Sequence, residues 1–386
     1  MKALYLAADW APKATYPLSK AEERSRKVRS GASVWRYPTL ELRSVTDPEP
    51  APDEVVIEVA AVGICGSDMH MVETADDGYM LYPGLTRLPN ILGHEFSGRV
   101  VEVGSTVTDL PVGTLVTAEE IQWCGRCGSC RRGLVNHCTD LEELGFTTPG
   151  AMAQYVAVRA RYCWSLTELA ARLGDDRTAL TLGALVEPCG VSYHAMFNRL
   201  AAPRPGAAVA VFGAGPIGLT ATALAATAGA ATVIALDISP SRLERAREMG
   251  ATEVLNPSGL DLNEVLLEAT CGRGVDLVVE AAGAPEHTLS PLTDGLAVGA
   301  TIVHIGRSEH PTALPLEHYQ TRGVQLAGSL GHAGHATFPN IIRLLASGRL
   351  DLRPMLSARY PLDRAAEAFK RLESRRDAKI LLEPSP

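Results

Sequence analysis

Cys124, Cys127, Cys130 and Cys138 form a Cys-x2-Cys-x2-Cys-x7-Cys run, and this spacing constrains the fold more tightly than any other pattern in the chain. Two short steps and one longer return let a single loop wrap four thiolates tetrahedrally around one Zn²⁺. The intervening Gly125, Arg126, Gly128, Ser129, Arg131, Arg132 and Gly133 are small or charged, as a tight solvent-facing lobe requires. With four protein ligands the ion has no position left for a substrate. The lobe is expected to be structural, and the chemistry must lie elsewhere.

A chain of 386 residues is too long for one ordinary core, so two domains are expected. A formal charge of −8 disfavours nucleic acid and acidic membrane surfaces as partners. No stretch reaches the ~18 apolar residues of a membrane span, and Met1 to Trp10 lacks the basic start of a secretion signal. The cytoplasm is the expected compartment, with the cysteines held as thiols or thiolates. Cys163, Cys189 and Cys271 are expected to be buried small hydrophobes.

The first third reads as β-rich, with β-branched runs at Asp53 to Cys65 and Phe96 to Val107 punctuated by glycine. The basic run Lys20 to Arg29 reads as a solvated helix or excursion. From about Val191 strands and helices alternate: strands at Thr232 to Asp237, Glu253 to Leu255, Val275 to Glu280 and Thr301 to Ile305, and helices at Pro216 to Ala228, Ser241 to Met249, Asp261 to Ala269 and from Pro285. Such succession predicts a parallel sheet covered by helices on both faces. The expected domains are 1–190 with 331–386, and 191–330.

Gly213-Ala214-Gly215-Pro216-Ile217-Gly218 is a GxGxxG motif that follows a predicted strand and opens a predicted helix. Gly213 serves the tight turn, Gly215 the approach of a pyrophosphate, and Gly218 close helix–sheet packing. The helix N-terminus supplies N–H groups to the phosphates. Asp237, ending the next strand, would accept from both ribose hydroxyls and repel a 2′-phosphate, favouring NAD over NADP. Ser239 is the better N-cap of the helix that follows, and Arg242 keeps NADP open as the alternative.

Cys65 in "CGSDMH", His94 and Glu95 in "LGHEFSG", and Glu187 in "LVEPCG" form a dispersed set. A thiolate, an imidazole and a carboxylate leave a fourth zinc position open, the condition for a catalytic metal. If a helix starts at Pro188, Cys189 points about 200° away from Glu187, so only one of them can face the metal.

With "GICGSD", "GHEFSG", the cysteine lobe, "VEPCGVSYHA" and "GAGPIGL" in hand, the chain resembles the zinc-dependent medium-chain alcohol and polyol dehydrogenases over nearly its whole length. The resemblance implies an α/β protein: a GroES-like β-rich catalytic domain plus a Rossmann doubly wound parallel sheet. It implies two zinc ions per chain, one catalytic and one structural, with NAD as cofactor and a homodimer or homotetramer as assembly. It makes Cys65 and His94 catalytic-zinc ligands, Glu95 an acid that ligates the zinc or exchanges with it, Asp68 the brace of the imidazole, and Ser67 and His70 a proton relay. Glu187 stands where the simple-alcohol branch has a third cysteine, as in polyol and sugar enzymes. Further stretches, "AADWAP", "SVWRYP", "DDGYMLYPGLT", "QWCGRC" and "GSLGHAGHATFP", resemble bacterial cyclitol dehydrogenases. The implied substrate is an inosose or aminocyclitol, with an acyclic polyol or aldose, or a non-catalytic NAD-binding protein, as alternatives. Tyr82, Glu119, Glu120, His318, His332 and His335 are candidates for hydroxyl recognition.

Overall fold

The computed structural model describes residues 1–200, 203–308, 310–332 and 334–385. Thirteen strands build two principal sheets: β1 (Glu54–Ile64), β2 (Glu95–Val103), β3 (Leu115–Ala118), β4 (Tyr155–Arg159), β5 (Cys163–Ser165), β6 (Ala208–Phe212), β7 (Thr232–Leu236), β8 (Glu253–Leu255), β9 (Val275–Glu280), β10 (Leu296–His304), β11 (Gln325–Gly328), β12 (Leu356–Pro361) and β13 (Lys379–Glu383). One sheet runs β5-β3-β2-β1-β13-β12, with β4 pairing β1. The other runs β8-β7-β6-β9-β10-β11, all parallel. In the second sheet the chain order reverses between β6 and β9, the switch point of a doubly wound dinucleotide fold.

The chain divides into two compact units, Met1–Glu187 with Ala358–Ser374 and Lys379–Pro386, and Pro188–Ser357 with Arg375–Ala378. The expected domain boundary at 330/331 therefore moves. The helix Thr337–Ala346 belongs with the parallel-sheet unit, where Asn198 donates to Thr337 Oγ1 at 2.8 Å and Asn340 to the Tyr193 hydroxyl at 2.9 Å. Further on, Arg245 donates to the Pro354 carbonyl at 2.7 Å. Sequence periodicity marks that segment as a helix but says nothing about which core receives it.

Each unit has its own apolar core. In the first, Val55, Ile57, Val59, Val62 and Ile64 of β1 join Phe96, Val100, Tyr162 and Ile380. In the second, Ala208, Ala210, Phe212, Ile234, Leu236, Val278 and Ile302 form the sheet's share of the core. These strands read as near-continuous apolar runs because both faces are covered. The expected helix from Pro285 is only four residues long, and β10 starts at Leu296, five residues before the expected Thr301. Of the three unassigned cysteines, Cys163 and Cys189 are buried, but Cys271 is exposed at φ +53°, so it is no core residue. Among the described residues no helix is long and apolar enough to cross a membrane.

The basic run near the N-terminus opens with the expected solvated helix: Lys20, Arg24, Arg26 and Arg29 are exposed, and Glu22 is its buried anchor. Its helix, Lys20–Ser25, is capped by Ser19 and closed by a capping box with Glu22. Glu22 is buried and accepts from the Tyr16 hydroxyl at 2.5 Å, Ser19 Oγ at 2.7 Å and Arg29 Nε at 3.1 Å. Burial alone would raise its pKa, but the Tyr16 and Ser19 donors hold it down at about 2. A folded-state pKa below the unfolded value means that this stabilisation is present above the ordinary carboxylate range and is lost as pH falls toward 2. Glu22→Ala is expected to cost roughly 1–3 kcal/mol. Hydrogen exchange should show residues 16–29 opening first, and unchanged protection there would contradict the assignment.

Candidate active site

In the cysteine lobe the Sγ atoms of Cys124, Cys127, Cys130 and Cys138 all lie within 4.8 Å of one another. Cys127 and Cys138 sulfurs are 3.9 Å apart, far beyond a disulfide bond. Backbone N–H groups already point at the sulfurs: Cys124 and Asp140 each donate to Cys138 at 3.3 Å, and Cys130 donates to Cys127 at 3.5 Å. The N–H groups of Cys130 and Thr139 pull the Cys127 thiol down to about 5, whereas burial pushes Cys130 up to about 12. Gly125 at φ +74° and Gly133 at φ +81° make the turns that fold the loop back. Four sulfurs with amide donors around them suit a tetrahedral zinc.

The second metal-ligand group is assembled by strand ends. Cys65 follows β1 directly and caps the helix Gly66–Val72, while His94 and Glu95 lie at the start of β2. The donor atoms of Cys65, His94 and Glu95 fall within 4.8 Å of one another. Asp68, wholly buried, accepts the Cys65 N–H at 2.9 Å through one oxygen and places the other 3.6 Å from His94 Nδ1. One carboxylate thus caps the helix and faces the imidazole Nδ1, an arrangement that would leave Nε2 to a metal. Burial alone would lower the His94 pKa, but the Asp68 carboxylate overrides it and holds it well above the usual imidazole range. Ser67 and His70, three residues apart on the same helix, share a face. Ser67 Oγ is buried without a hydrogen-bond partner among the described residues, the condition of a hydroxyl awaiting a ligand.

Glu187 is buried but stands outside the Cys65–His94–Glu95 group; its carboxylate lies instead within 4.8 Å of that of Glu120. The helix carrying it is Val186–Tyr193, starting before Glu187 rather than at Pro188. The rotation argument still separates Glu187 from Cys189. One participant escaped sequence reasoning. Lys379 is wholly buried and donates to both Glu95 oxygens, at 2.6 and 2.5 Å. Its signal was a lone lysine opening the apolar strand "KILLE".

Tyr82 stacks on Phe146 with ring centroids 5.0 Å apart, and Phe146 packs on His94 at 4.8 Å. Glu119 accepts from Trp164 Nε1 at 2.9 Å, a bracing role. His318 Nε2 lies 3.8 Å from an Asp294 carboxylate oxygen. His332 is fully buried against Phe338, and His335 has a left-handed backbone at φ +50°.

In the parallel-sheet unit the glycine motif joins β6 to the helix that follows. Gly213 turns at φ +88°. A Cβ on Gly218 would overlap the Gly213 carbonyl, whereas nothing lies within 4 Å of a Cβ on Gly215, which leaves the backbone open to a phosphate. Pro216 and Ile217 start the helix Pro216–Thr227. Asp237, just past β7, accepts from the Ala214 N–H at 2.7 Å and from the Ser239 N–H at 2.8 Å. Its carboxylate is therefore pinned over the glycine turn, 3.9 Å from Arg242 Nη1. Ser239 occupies the N-cap position of the next helix, but its hydroxyl makes no capping bond.

Comparison with known proteins follows the same division. Residues 51–168 match the alcohol dehydrogenase GroES-like domain, and residues 216–347 match the zinc-binding dehydrogenase domain. The scyllo-inosose 3-dehydrogenase of Thermotoga maritima is 40% identical over 385 residues, 97% of each chain. This chain belongs to the zinc-dependent medium-chain alcohol dehydrogenases. The sorbitol dehydrogenase of Bacillus subtilis is 34% identical over 86% of this chain and 90% of its own. A solved structure from Thermotoga maritima superposes with a TM-score of 0.95 at 39% identity, covering 99% of each chain. Within this family the present chain is a zinc-dependent polyol or alcohol oxidoreductase.

Proposed function

We propose that this medium-chain dehydrogenase oxidises a secondary ring hydroxyl of a cyclitol, an inosose or aminocyclitol, reversibly to a ketone, with NAD as cofactor and two zinc ions per chain. The observation that carries the substrate class is a packing path to His94. Tyr37, in the "SVWRYP" stretch, donates its N–H to the Gly78 carbonyl at 2.8 Å, and Ala32 donates to Tyr82 at 2.7 Å. Tyr82 then stacks on Phe146, and Phe146 on His94. Two of the segments that carry the cyclitol likeness, "SVWRYP" and "DDGYMLYPGLT", therefore support the wall beside His94, where they would act on the substrate. Glu120 and Glu187 add two buried carboxylates, suited to accepting hydroxyl protons.

Cys65, His94 and a carboxylate from Glu95 or Glu187 would hold the catalytic ion; Cys124, Cys127, Cys130 and Cys138 would hold the structural one. When bound, zinc supplies a Lewis acid for the substrate oxygen and the nicotinamide supplies the hydride acceptor. The chain's own part is positioning and proton handling. Asp68 would brace the imidazole, Ser67 Oγ would accept the substrate hydroxyl's proton as it releases its own, and His70 would carry a proton onward to solvent. Gly213 to Gly218 seat the pyrophosphate and Asp237 receives the adenosine ribose. The eight unbridged cysteines suit a reducing cytoplasm.

Two measurements test this reading. In a screen of NAD⁺ reduction over inositols, inososes, aminocyclitols, sorbitol, glucose, cyclohexanol and ethanol, a ring polyol should give the highest kcat/KM. Each buried partner left unpaired by a deoxy analogue should cost about 1–3 kcal/mol. Sorbitol as best substrate would favour the acyclic reading; ethanol as best would refute the polyol claim. For the cofactor, wild type should prefer NAD⁺ over NADP⁺. Asp237→Ala should narrow that ratio by removing the ribose acceptor and the repulsion of a 2′-phosphate. A wild-type preference for NADP⁺ would overturn the assignment.

A further inference from the structure

At the C-terminal end of the parallel sheet, the backbone around one buried carboxylate is tied from several directions. Glu280 closes β9 and is wholly buried. Its Oε1 accepts from the N–H groups of Ala282, Gly283 and Ala284 at 3.1, 2.9 and 3.4 Å, and from the Thr288 hydroxyl at 3.4 Å. Its Oε2 lies 2.9 Å from Nδ1 of His304, the last residue of β10. The Glu280 carbonyl accepts from the N–H groups of Ile305 and Gly306, at 2.9 and 3.0 Å. Glycines let these backbones touch. A Cβ on Gly213 would press on Ala281 and Ala282, and one on Gly283, at φ +72°, on the Arg307 carbonyl. A Cβ on Gly306 would overlap the Gly283 nitrogen and the Glu280 carboxylate together.

A buried carboxylate persists only while its lone pairs are met. The turn 281–284 can therefore shift only by stripping donors from a buried charge. Gly283 and Gly306 pass that constraint on to residues 305–307. These are the loops that follow β9 and β10. Asp237 follows β7, on the other side of the point where the strand order reverses. A dinucleotide whose adenosine ribose meets Asp237 carries its other half over the ends of β9 and β10. We infer that Glu280 is a positioning residue for the nicotinamide half of the cofactor, acting not by contact but by fixing the two loops on which that half rests. This inference rests on the dinucleotide reading of Gly213 to Gly218 and Asp237, and adds to it a residue that acts on one half only.

Calorimetric titration of the full chain with NADH and, separately, with AMP distinguishes this role from a general loss of stability. Glu280→Ala should weaken NADH about tenfold or more, the equivalent of one or two lost hydrogen bonds, and leave AMP within about twofold of wild type. Glu280→Gln, whose amide oxygen still accepts the turn's N–H groups, should recover most of the NADH affinity. Gly306→Ala wedges the two loops apart with Glu280 intact and should show the same selective weakening; it decides the matter if Glu280→Ala does not fold. Equal weakening of NADH and AMP, unchanged NADH affinity, or a glutamine variant as weak as the alanine one would each overturn the assignment. Wild-type protein that binds neither ligand would instead refute the dinucleotide reading, and this inference with it.

Discussion

Cys65→Ala is expected to lose turnover by about 10³-fold or more while keeping its fold and its affinity for the dinucleotide. Cys65 supplies the soft donor of the group it forms with His94 and Glu95, and a zinc Lewis acid contributes several kcal/mol to the transition state. At 1.36 kcal/mol per tenfold in rate, that loss amounts to three decades or more. The dinucleotide motif belongs to the other compact unit, so NAD⁺ titration and circular dichroism should be near wild type. Retention of substantial kcat/KM by this variant would remove Cys65 from the reaction.

The second large effect is on stability. Cys127→Ser removes the thiol with the strongest drive to ionise in the lobe, and with it a share of the metal-linked folding energy that a four-cysteine site contributes. Thermal unfolding should move down by ~2–4 °C for each kcal/mol lost, with several kcal/mol expected. Zinc content should fall from two ions per chain to one. An unmoved transition with two ions still bound would show that the cysteines do not hold a structural metal.

The two halves of the account were not equally legible. Gly213, Gly215, Gly218 and Asp237 lie within 25 residues of one another, and their roles follow from local turn and strand geometry. The cysteine lobe is likewise one loop, so spacing alone suggests its metal. Cys65 and His94 were found as motif residues. What orders them was not found, because it depends on sheet order: Lys379 lies 284 residues from Glu95 and reaches it only because β13 sits beside β1 at a glycine. Phe146, between Tyr82 and His94, carries no motif and becomes visible only through packing. The helix Thr337–Ala346 is legible from its periodicity, but the unit that receives it is not, since periodicity reports an apolar face and not its partner. Glu187 shows the same limit. Its distance from Cys65 and His94 depends on where the preceding chain enters the helix, and that helix begins at Val186.

The central claim is direct transfer of a ring-carbon hydrogen to NAD⁺, and isotopic labelling tests it without knowledge of which carbon reacts. The best ring polyol, deuterated at its ring carbons, should yield NADH carrying one deuterium at the nicotinamide C4 for each ketone formed, read by mass spectrometry. Unlabelled NADH, or ketone formed with no NADH at all, would contradict the account.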